Sequence, residues 1–233
     1  MKLGILQCDS VLEEYQSKFG NYPQMFVDLF QKIDPTIETQ IYHVEIGEYP
    51  DSINECDAYI TTGSKASVYE ELAWLDEFKK FIRTLFAQKI KLAGICFGHQ
   101  LIADTLGGKT EKSNKGWGVG VSVNRIIEKK TWMQPPLDTL NIVVSHQDQV
   151  MQLPDNAHLL ASSHFCPNYM YQIEDSIISI QGHPEFSKDY SSTLMKHRAI
   201  KLGGKTLEDG LNSLDLETHE IIFAKWLLNF FRQ

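Results

Sequence analysis

The chain has 233 residues, of which 42% are hydrophobic and 22% are charged, an ordinary composition for a globular protein. Its net charge is −8, and no block of lysines and arginines offsets this charge, which argues against a surface for nucleic acid or for an anionic membrane. No apolar stretch has the character of a signal peptide or the length of a membrane span, so we expect a cytoplasmic protein. The four cysteines are far apart and form no C-x-x-C pair, which argues against a zinc ribbon: Cys8, Cys56, Cys96 and Cys166.

Short apolar runs alternate with segments of helical periodicity. The runs predict strands at Leu3–Gln7, Thr39–Val44, Ala58–Thr62, Lys91–Ile95, Val119–Ile127, Asn141–Val144, Leu159–Ser162 and Ile177–Gln181. The periodic segments predict helices at Pro23–Lys32, Leu72–Gln88, Leu101–Leu106 and Leu216–Phe231. This alternation predicts one α/β domain over residues 1–233, with an open, mostly parallel central sheet, helices on both faces and a small mixed or antiparallel extension.

The most informative segment is Gly94-Ile95-Cys96-Phe97-Gly98, which directly follows a predicted strand. A nucleophile flanked by glycines two residues before and two residues after it is typical of a tight strand-to-helix turn, here with sulfur in place of the serine oxygen. Larger side chains at the glycine positions would collide across that turn. The turn places the thiol at a helix N-terminus, where free amides and the macrodipole favour the thiolate. We therefore expect covalent catalysis by Cys96.

A cysteine nucleophile needs a base, and the base needs a third group that fixes its tautomer. The segment His183-Pro184-Glu185 follows the last predicted strand and supplies both groups from one short loop. The proline restricts the backbone between them. Catalytic groups gather at the carboxyl ends of strands in open α/β sheets, which is where this loop and Cys96 are both predicted to lie.

The strings Gly94–Gln100 (G-I-C-F-G-H-Q) and Gln181–Phe186 (Q-G-H-P-E-F) together resemble the class I, or triad, glutamine amidotransferases, and the resemblance covers nearly the whole chain. Ser145–Val150 resembles the S-H-x-D-x-V segment of that family. The resemblance implies a flavodoxin-like sheet and no metal or organic cofactor. It also implies a Cys96, His183 and Glu185 triad, an oxyanion hole from the backbone of Phe97, Gly63 and Ser64, and substrate contacts from Gln100, Ser145, His146 and Asp148.

One position departs from the family pattern, since members of the GMP-synthase type usually read Gly-Gly-Pro where this chain has Gly63-Ser64-Lys65. The motifs together with Gly20-Asn21-Tyr22-Pro23 also resemble a stand-alone subgroup that includes the plant γ-glutamyl peptidases. The resemblance therefore implies hydrolysis of a glutamine-like γ-amide, by attack of Cys96 to give a γ-glutamyl thioester. The stretch after Glu185 is too short for a synthetase domain, and no phosphate-binding G-x-x-x-x-G-K-[ST] loop is present. Ammonia would then pass to a separate synthetase subunit, or the protein would act alone on γ-glutamyl compounds.

Several alternatives stay open. His146 is a second candidate for the base, and His146 with Asp148 has the H-x-D spacing of a metal pair but lacks further ligands. We expect His99 to brace the turn and not to react. At the level of the whole protein, a redox or stress-response protein with a cysteine on the same kind of turn is the alternative of another class. A non-catalytic domain that has kept the pocket is the third.

Overall fold

A nine-stranded sheet forms the centre of the molecule, which a computed structural model describes over all 233 residues. Five neighbouring strands are parallel: in spatial order β2 (Glu38–His43), β1 (Lys2–Gln7), β3 (Ala58–Thr61), β4 (Lys91–Ile95) and β11 (Ile177–Ile180). Four antiparallel strands extend the sheet beyond β11: β10 (Met170–Ile173), β9 (Ala157–Ser162), β6 (Gly118–Ile126) and β7 (Thr139–His146). A separate two-stranded ribbon pairs β5 (Lys109–Lys112) with β8 (Asp148–Gln152).

Helices cover both faces of the sheet. On one face lie α2 (Tyr22–Gln31) and α8 (Glu220–Phe231), and on the other lie α3 (Ala73–Ala87) and α4 (Phe97–Thr105). The antiparallel strands β6 and β7 carry α5 (Lys188–His197), and β6 also packs against α7 (Gly204–Ser213). The remaining helices are α1 (Glu13–Phe19) and the short α6 (Ala199–Leu202). None of the helices combines the length and the apolar character needed to cross a lipid bilayer.

The two apolar cores follow from the period-two alternation of the strands. Leu3 and Ile5 of β1 join the core beneath α2 and α8, whereas Leu6 of the same strand joins the core beneath α3 and α4. The helix α8 supplies large aromatic side chains to the first core, among them the fully buried Trp226. Each face of the parallel strands is therefore covered, as a parallel sheet requires.

The predicted fold class is confirmed. The predicted helices appear as α2, α3, α4 and α8, with ends shifted by a few residues, and the antiparallel extension comprises four strands of the sheet. The elements that the sequence patterns did not predict are short or polar: α1, α5, α6, α7, β5, β8 and β10. Helix α1, for example, buries no residue, so it lacks the apolar stripe on which the prediction of helices depends.

The register of the parallel strands decides which loops meet at their carboxyl ends. Ile95 at the end of β4 pairs with Ile180 at the end of β11, so the next residues along each chain segment, Cys96 and Gln181, lie side by side. The backbone N–H of Cys96 donates to the Ile180 carbonyl oxygen at 2.9 Å. The loop that begins at Thr62 follows β3, the strand on the other side of β4. These three loops therefore lie next to one another at the carboxyl ends of the parallel strands.

Candidate active site

Cys96 occupies a sharp turn between β4 and α4, with φ of 51° and ψ of −96°. A positive φ is uncommon for a residue with a side chain and costs conformational energy. A Cβ atom on Gly94 would lie 3.0 Å from the carbonyl of Gly98, so the expected collision across the turn exists. A Cβ atom on Gly98 would instead lie 1.8 Å from Oγ1 of Thr61 on the neighbouring strand β3. The two glycines are thus required by two different neighbours.

His183 and Glu185 are joined by a hydrogen bond of 2.7 Å between Nδ1 and Oε1. The side chain of His183 is 5% exposed and that of Glu185 is fully buried. The second carboxylate oxygen of Glu185 has no hydrogen-bond partner, so this carboxylate serves the histidine alone. The His183 ring also stacks on Phe186, with 3.9 Å between ring centroids. The carboxylate and the phenyl ring together fix the orientation of the imidazole and leave Nε2 to face the cysteine.

Cys96 and Glu185 both favour the protonated form of His183. Burial lowers the pKa of His183, but the charges and hydrogen bonds of Cys96 and Glu185 outweigh burial and raise the pKa well above the ordinary value of a histidine. The imidazole therefore carries its proton beside the sulfur. A protonated histidine next to a cysteine stabilises the thiolate, which is the nucleophilic form.

Gln181 is a site residue that the sequence analysis did not identify. Its Nε2 donates to the Cys96 sulfur at 3.5 Å, and its Oε1 accepts from Nε2 of Gln100 at 3.1 Å. Nε2 of Gln100 also donates to the Asp148 carbonyl oxygen at 2.8 Å. The signal that could have found Gln181 is its position, since it follows β11 at the same level at which Cys96 follows β4.

A cavity of about 560 Å³ opens above Cys96 and His183. Six of the other predicted site residues also line it, namely Gly63, Ser64, Gln100, Ser145, His146 and Asp148. Phe97 does not line the cavity, and its ring packs against Trp74 with 5.6 Å between centroids. Its expected role uses only the backbone N–H at the first position of α4.

The loop after β3 lines this cavity and has free backbone donors. The N–H groups of Gly63 and Ser64 donate to no other atom of the chain. Gly63 also lies directly against the histidine, since a Cβ atom there would be 2.7 Å from Cε1 of His183. Unpartnered N–H groups in a loop that lies against His183 suit a developing oxyanion.

The residues of the S-H-x-D segment have separate partners. His146 is buried, and its Nδ1 donates to the Asp148 carbonyl oxygen at 3.1 Å. Burial lowers the pKa of His146 to about 4, so the ring is neutral, and it makes no hydrogen bond to Cys96. Oδ2 of Asp148 accepts from Ser67 Oγ at 2.6 Å and from the Tyr69 hydroxyl at 3.0 Å.

Two further predicted residues make contacts that explain their positions. Oγ of Ser145 accepts from Nη1 of Arg198 at 3.0 Å. His99 does not line the cavity, and its Nδ1 lies 2.5 Å from Oγ of Ser179 on β11, which ties α4 to the sheet. No group of three or more His, Cys, Asp or Glu side chains is arranged to hold a metal ion.

The chain is similar in sequence to proteins of one known family. The family model for the class I glutamine amidotransferases matches residues 25–202. The chain is 32% identical to γ-glutamyl peptidase 4 of Arabidopsis thaliana over 73% of this chain and 70% of the relative. It is 32% identical to γ-glutamyl peptidase 3 of the same plant over 80% of this chain and 77% of the relative. It is also 32% identical to a glutamine-hydrolysing GMP synthase subunit of Sulfolobus acidocaldarius, over 58% of this chain and 70% of the relative.

Among solved structures, a glutamine amidotransferase of Thermotoga maritima aligns with a TM-score of 0.76 over 99% of this chain and 95% of its own, at 19% identity. This likeness supports the fold. The family match spans most of the chain and includes the turn with Cys96 and the loop with His183 and Glu185. The chain is therefore a member of the class I glutamine amidotransferase family of enzymes.

Proposed function

We propose that this protein hydrolyses the γ-amide bond of glutamine or of γ-glutamyl compounds through a γ-glutamyl thioester on Cys96. The observation that carries the proposal is the 2.7 Å hydrogen bond between Glu185 and His183 beside the sulfur of Cys96. Cys96, His183 and Glu185 thus combine a nucleophile, a proton carrier and an orienting carboxylate in a buried site.

The reaction follows from this arrangement. The Cys96 thiolate attacks the γ-carbonyl carbon, and the N–H groups of Gly63, Ser64 and Phe97 stabilise the oxyanion. The His183 imidazolium gives its proton to the departing nitrogen, the C–N bond breaks, and the thioester remains. The now neutral His183 takes a proton from water as the water attacks the thioester, and glutamate and the thiolate are released.

The γ-glutamyl group has a charged end that the cavity can recognise. The carboxylate of Asp148 lines the cavity and is bound by hydroxyl groups only, with no salt bridge to a lysine or arginine. An ammonium group supplies the missing positive charge, so Asp148 suits the α-ammonium of the substrate. This role agrees with the substrate contact that the family resemblance implies.

Two substrate classes remain, and the cavity favours the larger one. A volume of about 560 Å³ lies within the range that holds ligands of drug size, beyond what free glutamine fills. Relatives named γ-glutamyl peptidases point in the same direction. The second candidate is a glutaminase that delivers ammonia to a separate synthetase subunit, which the relatives named as glutamine-hydrolysing GMP synthase subunits support.

The test is a turnover screen of glutamine, γ-glutamyl dipeptides and glutathione conjugates, with Cys96→Ala as the control. We expect release of glutamate that depends on Cys96, and a γ-glutamyl adduct on intact protein that was quenched in acid. If no substrate gives Cys96-dependent release, the enzymatic function is wrong. Sensitivity of Cys96 to peroxide without any amidase activity would favour the redox alternative.

A further inference from the structure

We propose that the cavity contains a subsite for an anionic leaving group, formed by Trp117, Arg198 and Lys201. It selects γ-glutamyl compounds whose departing amine carries a free carboxylate, such as the C-terminus of a short peptide. This inference rests on the proposed hydrolysis at Cys96 and specifies which γ-glutamyl compounds the site accepts. Nothing in the family resemblance assigns these three residues.

The first observation is a cluster of cations on one wall of the cavity. Lys201 lies over the half-buried ring of Trp117 with Nζ 4.8 Å from the ring centroid, and the Arg198 guanidinium lies 5.7 Å from the same centroid. Cation–π contacts of this kind hold charged groups in place.

The second observation is that these cations have no anionic partner. Neither Arg198 nor Lys201 takes part in any salt bridge of the chain, although the protein carries a net charge of −8. Arg198 uses one N–H to bond the neutral Ser145, which orients the guanidinium and leaves its other donors free. Unpaired cations that line the active-site cavity of an acidic protein provide charge complementarity for an anion.

The direction in which the leaving group departs connects this cluster to the reaction. The departing nitrogen takes its proton from His183, so the leaving group lies on the His183 side of the thioester. The wall on that side continues from Phe186, which stacks on His183, to Tyr190, whose ring lies 4.7 Å from that of Phe186. Tyr190 belongs to α5, and Arg198 immediately follows the end of that helix.

The length of this wall fits a short peptide. Tyr190, Leu194 and Arg198 are spaced four residues apart along one side of α5, and all three line the cavity. At 1.5 Å per residue, Tyr190 and Arg198 are separated by about 12 Å along the helix axis. An extended peptide covers about 3.5 Å per residue. An arginine side chain that reaches back along the cavity can therefore meet the carboxylate of a leaving group of one or two residues.

Carboxylates also line the cavity. Asp148 and Glu70 are among the lining residues, and neither takes part in a salt bridge. The cavity therefore offers carboxylates suited to the α-ammonium of the γ-glutamyl group as well as cations suited to the carboxylate of the leaving group. Free glutamine, whose leaving group is ammonia, would leave these cations unused.

The experiment compares γ-glutamyl-alanine with γ-glutamyl-alaninamide, which differ only in the charge at the end of the leaving group. We expect kcat/KM of the wild-type protein to be about tenfold higher for the acid, as one charge-assisted hydrogen bond provides. In the Arg198→Met/Lys201→Met double variant we expect this ratio to fall to near one. Lys205→Met is the matched control, because Lys205 pairs with Asp209 on α7 and does not line the cavity. Its ratio should match that of the wild type.

The outcomes separate this inference from the proposed function. A wild-type ratio near one, with Cys96-dependent turnover of both compounds, overturns the subsite and leaves the hydrolytic function standing. An equal fall for both compounds in the double variant also overturns it, because the cations would then bind the α-carboxylate of the γ-glutamyl group. Calorimetric binding of both compounds to the Cys96→Ala protein measures the same preference without turnover. A preference seen there while the wild-type protein hydrolyses nothing would support the subsite and reject the hydrolytic function.

Discussion

The side-chain amide of Gln181 donates a hydrogen bond of 3.5 Å to the sulfur of Cys96, and the Gln100 amide fixes its orientation. Because Oε1 of Gln181 is occupied by a donor, Nε2 is the atom that faces the sulfur. Strand pairing between β4 and β11 puts the two residues side by side. A neutral donor thus supports the thiolate from one side while the His183 imidazolium supports it through its charge.

Replacement of Gln181 by Met removes this donor while keeping a side chain of similar size. We expect kcat to fall about 10- to 100-fold, the usual cost of losing a hydrogen bond to a charged group. The alkylation of Cys96 by iodoacetamide should also need a higher pH, because the thiolate has lost a donor. Gln100→Met should give a smaller change in the same direction. Gln24→Met, on the exposed side of α2, is the control; an alkylation profile for Gln181→Met that matches it would show that Gln181 is only structural.

Glu185→Gln removes a charge that raises the pKa of His183. His183 delivers its proton as the imidazolium, so activity is present below the pKa of His183 and is lost as the pH rises through it. The raised pKa should therefore extend activity to higher pH than a free histidine, of pKa about 6.5, would allow. In Glu185→Gln we expect the alkaline limb of kcat/KM against pH to move to lower pH, and the maximal rate to fall about 10- to 1,000-fold. If the alkaline limb of kcat/KM stays at the wild-type pH, Glu185 does not act on His183.

Gly63→Ala tests the close approach of the β3 loop to the histidine. The new Cβ atom would lie 2.7 Å from Cε1 of His183, whose ring also stacks on Phe186. The ring or the loop must shift, and a displacement of about 1 Å in a reacting group can cost about 100-fold in rate. We expect a large loss of kcat with little change in the melting temperature. Gly204→Ala, where no atom lies within 4 Å of the added carbon, should leave both unchanged.

Two buried histidines should make the protein sensitive to mild acid. Burial lowers the pKa of His99 to about 3 and that of His146 to about 4, whereas an unfolded chain protonates both near 6.5. Their contribution to stability is complete above pH 6.5 and is lost as the pH falls toward the folded values. Below pH 6.5 each should reduce the free energy of unfolding as the pH falls, with a slope that approaches about 1.4 kcal/mol per pH unit near pH 5.

Urea unfolding at pH 7, 6 and 5 measures this dependence. His99→Gln should remove about half of the slope that the two buried histidines contribute, and His164→Gln, at an exposed position, should leave the slope intact. A slope that is equal in the wild-type and His99→Gln proteins would mean that His99 does not stay neutral in the folded state.

Local patterns in the amino-acid sequence were enough to predict the strands and helices of the parallel half and to nominate the reactive residues. Apolar runs and helical periodicity are local signals, and they located β1, β3, β4, α3 and α8. The glycines around Cys96 and the His183-Pro184-Glu185 loop are also local, because each motif lies within a few residues. Helix α5 is polar overall and buries only a narrow stripe that includes Tyr190, Leu194 and Met195, and the wall of the cavity that it forms was not predicted.

Which of these residues lie together is settled by the packing of the whole chain. Register between β4 and β11 brought Gln181 to Cys96, and the end of α5 brought Arg198 to the cavity that Trp117 lines. These partners are separated by 80 residues or more along the chain. Distances between such residues are set by strand pairing and helix packing, which depend on the whole core and leave no pattern in a short segment. The sequence therefore pointed to the proposed nucleophile and its base, whereas the fold decided what supports the thiolate and which side chains line the rest of the cavity.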